Sequence, residues 1–236
     1  VDVLIHAGAF TPKNAKEANN LRSCNQNVTF TESLLNFQFD KLKKILYTST
    51  LDVYAESKCI SESTATNPST LYGASKLYCE KMISTFCSEK GIETQILRLG
   101  HIYGPGEEKY QKMLPLTIRN VLSDSPVEIW GDGSELRSFI YIDDVVESIV
   151  NAVEWNTDVA VINVVSGVSM SIRELVEKII SVSGKKVDIV FREVSSKGKD
   201  VIFDSKLLKE TLLKKETDFN IGLEAEYYHM KNQMNM

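Results

Sequence analysis

Lys44-Ile45-Leu46-Tyr47-Thr48-Ser49-Thr50 is an apolar, β-favouring run that closes on three adjacent hydroxyls. It does not alternate apolar with polar, as a strand with one wet face would. A strand of residues 44–49 is therefore expected to be covered on both faces, as in a parallel sheet flanked by helices. Downstream, residues 72–90 place Ala74, Leu77, Ile83 and Phe86 on one side of a helix, with Gly91 as its C-cap. Further strands are expected at 1–6, Glu93–Leu99, 139–142 and 159–164, each mostly apolar. A helix over 23–42 carries Leu34, Leu35, Phe39 and Leu42 at helical spacing. Asp144-Val145-Val146-Glu147 has the residue types of a capping box with Asp144 as N-cap, and Ser171-Ile172-Arg173-Glu174 repeats the signature before 175–180. A last helix is expected from about Asp204, and residues 227–236 read as a frayed tail. Strands alternating with helices predict an α/β fold with a doubly wound parallel sheet. The loop Gly100 to Gly106 breaks that rhythm and marks an excursion into a smaller α/β domain.

The chain is 43% apolar and 25% charged, the mixture of a globular protein with a substantial core. A net charge of −5 supplies no basic field for nucleic acid, yet leaves room for a small anionic ligand held by a few cations. Cys24, Cys59, Cys79 and Cys87 form no C-x-x-C pair and have no histidine at zinc-ligand spacing. They read as reduced thiols of a cytoplasmic protein, and no metal site is expected. No apolar run reaches membrane-spanning length, and no secretory leader is read. Val1 already stands in a core strand, so preceding sequence is expected.

Tyr-x-x-x-Lys occurs three times, as Tyr54…Lys58, Tyr72…Lys76 and Tyr227…Lys231. Only Tyr72…Lys76 opens an amphipathic helix, where i and i+4 share a face. An ammonium there is expected to favour the ionised phenol, which otherwise titrates too high to act as a base. A hydroxyl partner is expected from a strand C-terminus, where open α/β sheets bind ligands. Thr50 is the first choice, with Thr48 and Ser49 beside it; the plainer reading of Thr50 is a turn cap.

Six pieces occur in order: the strand at 1–6 with Ala7-Gly8-Ala9; Tyr47-Thr48-Ser49-Thr50-Leu51-Asp52-Val53-Tyr54; Tyr72-Gly73-Ala74-Ser75-Lys76; Arg98-Leu99-Gly100-His101-Ile102-Tyr103-Gly104-Pro105; Gly131-Asp132-Gly133…Arg137-Ser138-Phe139 through Asp143-Asp144; and Asn163-Val164-Val165-Ser166-Gly167. Together they resemble the NAD-dependent epimerase/dehydratase family of extended short-chain dehydrogenases/reductases, nucleotide-sugar 4-epimerases in particular. The resemblance implies a Rossmann-type sheet. Its cofactor-binding part would be 1–100 and 143–165, and its substrate-binding part 101–142 and 166–236. Tyr72 would take a proton from a sugar hydroxyl, Lys76 would lower its pKa and bond the nicotinamide ribose, and Thr50 would bond the reacting oxygen. His6, Ala7, Gly8, Ala9, Thr48 and Ser49, with Tyr72 and Lys76, would line the cofactor, NAD, with NADP as the alternative. Arg137 would grip a nucleotide diphosphate, for which a planar guanidinium is suited; the plainer reading is a surface ion pair. His101 would contact the substrate or be an ordinary loop histidine. Asn27 matches a family asparagine or is a helix-surface amide. Asp143 and Asp144 read as capping residues and Asn163 as structural.

The departures matter as well. The family's Gly-rich phosphate loop is absent, so two or more βα units, on the order of 60–70 residues, are expected before Val1. Leu51-Asp52 stands where sugar-nucleotide 4,6-dehydratases carry Asp-Glu, and Leu51 cannot donate a proton. Phe30 replaces a usual glycine, and His101 a usual asparagine. The implied activity is epimerisation by transient hydride removal. The rivals are an NADPH-dependent reductase, a 4,6-dehydratase and a non-catalytic NAD-binding regulatory protein. A homodimer through the helices near 23–42 and 72–90 is implied too.

Overall fold

The computed structural model describes residues 1–155, 159–195 and 198–234. Along the chain come β1 (Val3–His6), α1 (Leu21–Leu35), β2 (Lys44–Thr50), α2 (Leu71–Lys90) and β3 (Glu93–Leu99). Then follow β4 (Ile102–Tyr103), α3 (Met113–Leu122), β5 (Val127–Trp130), β6 (Leu136–Ser138), β7 (Ile140–Tyr141), α4 (Ile142–Glu154) and β8 (Val161–Val164). The chain closes with β9 (Ser169–Ser171), α5 (Ile172–Ser183), β10 (Ile189–Arg192), α6 (Lys206–Thr211) and α7 (Phe219–Met234).

Among the described residues, β1, β2, β3 and β8 form one parallel sheet in the order β1-β2-β3-β8. Every residue of β2 is buried, as its unbroken apolar pattern requires. On one face Ile45, Tyr47 and Ile96 pack with Cys79 and Ile83 of α2, and on the other Leu46 and Leu97 pack with Val145 and Ala152 of α4. Each such aliphatic side chain contributes about 1.5–3 kcal/mol by leaving water. A separate core joins Leu114 and Ile118 of α3, Leu175 and Ile179 of α5, and Leu223, Tyr227 and Met230 of α7. Leu208 of α6 packs back onto the sheet's core with Leu212 and Leu213.

Local signals explain the helix ends where no distant partner intervenes. Thr70 caps α2 by accepting from the Gly73 N–H at 3.0 Å, and Gly91 ends it in the left-handed region at φ 66°. Ser171 and Glu174 form the expected capping box of α5.

Four expectations are corrected. The helix expected over 23–42 ends at Leu35; Phe39 and Leu42 reach the core from the following turn. Residues 139–142 do not extend the main sheet, because β7 pairs with β4 and Ile142 already starts α4. Asp144 is not an N-cap. Tyr141 holds that position, and the Asp144 carboxylate instead accepts from the Thr217 N–H at 3.0 Å and the Thr217 hydroxyl at 2.6 Å. The tail is not frayed over its described part: Tyr227 and Met230 are buried in the second core, so α7 is held by tertiary packing. Residues 235–236 of that expected tail lie outside the described residues.

Candidate active site

Tyr72, Lys76 and Glu80 lie four residues apart on α2, so one buried helix face carries all three toward the sheet. Gly73 lets the start of α2 press against the turn after β2. A Cβ there would overlap the Asp52 carbonyl oxygen and touch Pro68 at 3.0 Å. Gly73→Ala is therefore expected to cost about 1–3 kcal/mol, read as a lower urea midpoint, because backbone must move to admit the methyl.

That close approach puts Tyr72 beside the last residue of β2. Ser49, Thr50, Leu51, Asp52, Tyr72, Thr11 and His101 line one cavity of about 400 Å³, closed on its far side by Gly104, Glu107, Tyr110 and Lys112. Thr50 holds its own turn through a 3.2 Å bond from the Asp52 N–H to its hydroxyl. The Tyr72 phenol is pushed up to about 12, first by burial and then by the Asp52 carboxylate, while the hydroxyls of Thr50 and Thr11 pull it down. Burial also raises Asp52 itself, with Lys112 opposing.

Lys76 is 2% exposed and stands behind this wall. Its ammonium donates to the Thr48 carbonyl at 2.6 Å and lies 4.3 Å from the Tyr47 ring centroid. Desolvation lowers it to about 8, with Cys79 and Glu80 opposing. Burial dominates the Tyr72 phenol, and the groups relieving it are the hydroxyls of Thr50 and Thr11.

The remaining sequence candidates fall into place around this centre. The Thr48 hydroxyl donates to the His6 carbonyl at 3.5 Å, tying β1 to β2. The His6 ring turns inward, with Nε2 2.9 Å from the Thr31 hydroxyl, and burial followed by Lys76 lowers it to about 4. Ala7, Gly8 and Ala9 are exposed at the end of β1 and stand outside the cavity lining. Asn27 is no surface amide. It accepts from the Phe10 N–H at 2.7 Å and donates to the Ser75 hydroxyl at 3.1 Å, fastening the loop after β1 to α2. Asn163 is fully buried and accepts from the Tyr54 phenol at 2.8 Å, which accounts for Tyr54 structurally.

Arg137 lines a second recess of about 330 Å³. Both recesses share His101, Ile102, Glu107 and Lys112, so they meet at that seam. Arg137 donates to the Leu136 carbonyl at 2.8 Å and the Lys199 carbonyl at 2.6 Å. His101 is lowered mainly by the protein crowding it, and its ring lies 6.0 Å from those of Phe139 and Phe203. Thr11 and Glu107 escaped the sequence reading. Thr11 lies in a loop and Glu107 in a short 3-10 turn, and no periodicity or spacing connects them with Tyr72.

Residues 1–165 match the family described as the NAD dependent epimerase/dehydratase family. A dTDP-D-glucose 4,6-dehydratase of Dictyostelium discoideum is 26% identical over 197 residues, covering 78% of this chain and 45% of that protein. A putative UDP-glucose 4-epimerase of Methanocaldococcus jannaschii is 26% identical over 239 residues, covering 98% of this chain and 78% of the other. The crystal structure of UDP-glucuronic acid 4-epimerase from Bacillus cereus in complex with NAD superposes with a TM-score of 0.85 at 28% identity, over 100% of this chain and 76% of its own. The chain spans between 45% and 65% of the length of several curated relatives it matches. No described helix is long and apolar enough to cross a membrane.

Proposed function

Because the chain belongs to the NAD dependent epimerase/dehydratase family, we propose that it is an NAD-dependent nucleotide-sugar epimerase with Tyr72 as the base for a sugar hydroxyl. The observation that carries this reading is the juxtaposition of Thr50 and Tyr72 on one cavity wall, with the Lys76 ammonium directly behind it.

The residues present suit the ribose and amide end of a dinucleotide. The Ser49 hydroxyl is buried without a hydrogen-bond partner among the described residues at the end of β2, on the cavity lining, and the exposed residues Ala7 to Ala9 lie at the end of the adjacent β1. NAD held there would supply a reversible hydride acceptor for the sugar carbon; NADP is the alternative. Tyr72 receives the hydroxyl proton and gives it back, and Thr50 orients the oxygen between them. Arg137 lines the second recess and Lys112 the seam where it meets the first, two cations suited to a diphosphate, with His101 also on the seam. In this reading residues 1–100 and 143–165 serve the cofactor and 101–142 and 166–236 the sugar nucleotide. The free cysteines accord with a cytoplasmic protein. The exposed Phe30 and Tyr78 on α1 and α2 accord with a homodimer through those helices.

A second reading, 4,6-dehydration, draws support from the Asp52 carboxyl beside Tyr72 in the cavity; the buried, apolar Leu51 opposes it, since it offers no acid for the departing water. Product analysis of the full-length protein with UDP-, GDP- and dTDP-sugars, with trace NAD or stoichiometric NADPH, decides. An epimer without net cofactor change is the expected outcome. Matched cofactor oxidation would make it a reductase, a dehydrated keto-sugar a dehydratase, and no product from any sugar a non-catalytic NAD-binding protein.

A further inference from the structure

The far wall of the cavity is the turn from Gly104 to Lys112, and α7 holds it from behind. Gly222 makes the approach of α7 close: a Cβ there would overlap the Tyr103 hydroxyl. One turn later Glu226, 0% exposed, accepts from the Gly104 N–H at 3.1 Å through Oε2. Gly104 begins the wall at φ 133°, a conformation open to glycine, and a Cβ on it would lie 2.6 Å from Ile142 Cγ2.

The second oxygen of Glu226, Oε1, is buried with no hydrogen-bond partner among the described residues, and so is Oε2 of Glu107. Glu107 Oε1 is taken by the Lys112 ammonium at 3.0 Å. An anion at Glu226 would have one N–H to replace its hydration, far too little at that depth. The charge of Glu107 makes that anion costlier still, and the cheaper state keeps Glu226 protonated. Burial first, and then the Glu107 charge, push Glu226 up to about 9. Glu108 adds to the rise and Lys112 opposes it. The phenols of Tyr103 and Tyr141 also face this carboxyl, and on α7 itself His229 lies 3.7 Å from Glu108.

We propose that Glu226 is a positioning residue: it keeps its proton at neutral pH and, with Glu107, clamps the Gly104–Lys112 wall against α7, and the clamp opens when Glu226 ionises. The sign follows from the folded value of about 9 against an ordinary 4.5. The clamp's contribution is complete below the ordinary value and is lost as pH rises through the folded one. Opening would carry Tyr110 and Lys112 away from Tyr72, so the cavity would lose its far side.

Limited trypsin digestion tests this without any substrate, so the outcome is separate from the fate of the epimerase reading. The ligand-free full-length protein is digested at about pH 7.5 and about pH 10, with rates normalised to an unstructured lysine peptide. Cuts after Lys109 and Lys112 are followed by mass spectrometry. Cleavage of the unaltered protein should quicken about five-fold at the higher pH, while Glu226→Gln, which cannot ionise, should quicken less than about two-fold. Glu107→Gln, lacking the charge that helps keep Glu226 protonated, should open at a lower pH than the unaltered protein, and circular dichroism should show α-helix intact in both variants. An equal pH response in all three proteins, or rapid cutting of a folded Glu226→Gln at about pH 7.5, would overturn the proposal.

Discussion

Tyr72→Phe is expected to lower kcat on the nucleotide sugar by about 10²–10⁴-fold while leaving KM within a few-fold and the fold intact. The size follows from what the hydroxyl does. It is a titratable group on the cavity wall that shares a hydrogen-bonding environment with Thr50 and Thr11, and its residue is already buried. Phenylalanine keeps the ring and removes only the proton acceptor. The lost hydrogen bonding with Thr50 and Thr11 should cost about 0.5–1.5 kcal/mol of stability, too little to unfold a domain of this size. A phenol at about 12 is almost wholly protonated at neutral pH, so the ionised form must be drawn out by the substrate oxygen and by Thr50. Steady-state kinetics with the sugar identified by product analysis, alongside urea midpoints, checks both halves. Unchanged kcat in a folded variant would remove Tyr72 from the chemistry and turn attention to Asp52, the other titratable side chain nearest it on that wall.

The parts of this site that were legible in the sequence are those set by local rules. The unbroken apolar pattern of β2, the hydroxyls at its end, the four-residue interval from Tyr72 to Lys76 and the Gly91 cap all depend on neighbours close in sequence. Glu226 and Glu107 were silent because their meaning comes from a meeting of turn and helix across 122 residues. The Asp144 capping signature failed for the same reason. A carboxylate near a helix start is a cap only if no better donor reaches it, and Thr217 supplies two. Lys76 shows the limit of spacing arguments from the other side. The interval placed it on the right helix face, but the Thr48 carbonyl and the Tyr47 ring, both on β2, decide where its ammonium goes.

Arg98→Met is expected to destabilise the protein by about 3–5 kcal/mol, the largest stability change among the substitutions considered, because it strands a buried charge. Glu80 and Arg98 form a two-pronged pair at 3.0 and 2.7 Å with side chains only 6% and 8% exposed, and the guanidinium carbon lies 4.6 Å from the Tyr54 ring centroid. The pair ties α2 to β3, and through Tyr54 and Asn163 the tie continues to β8. Glu80 also follows Lys76 by one helical turn, and its charge already raises the Lys76 ammonium. Freed of Arg98, Glu80 would compete for that ammonium and draw it from the Thr48 carbonyl, so activity should fall even in the molecules that remain folded. Urea denaturation should show the midpoint dropping with an unchanged slope. The double variant Glu80→Met with Arg98→Met removes both charges, and its stability should recover most of the loss, since a buried ion pair replaced by apolar groups of similar volume is often neutral. Its Lys76 would then lack the Glu80 charge that opposes desolvation. The ammonium would therefore titrate lower than in the unaltered protein, and the alkaline limb of the kcat profile should move to lower pH. Recovered stability with a shifted profile would separate the pair's two roles, fastening the helix that carries Tyr72 and sustaining the charge of Lys76. A single variant as stable as the unaltered protein would mean that water already reaches Glu80 and that the helix is held by its apolar face alone.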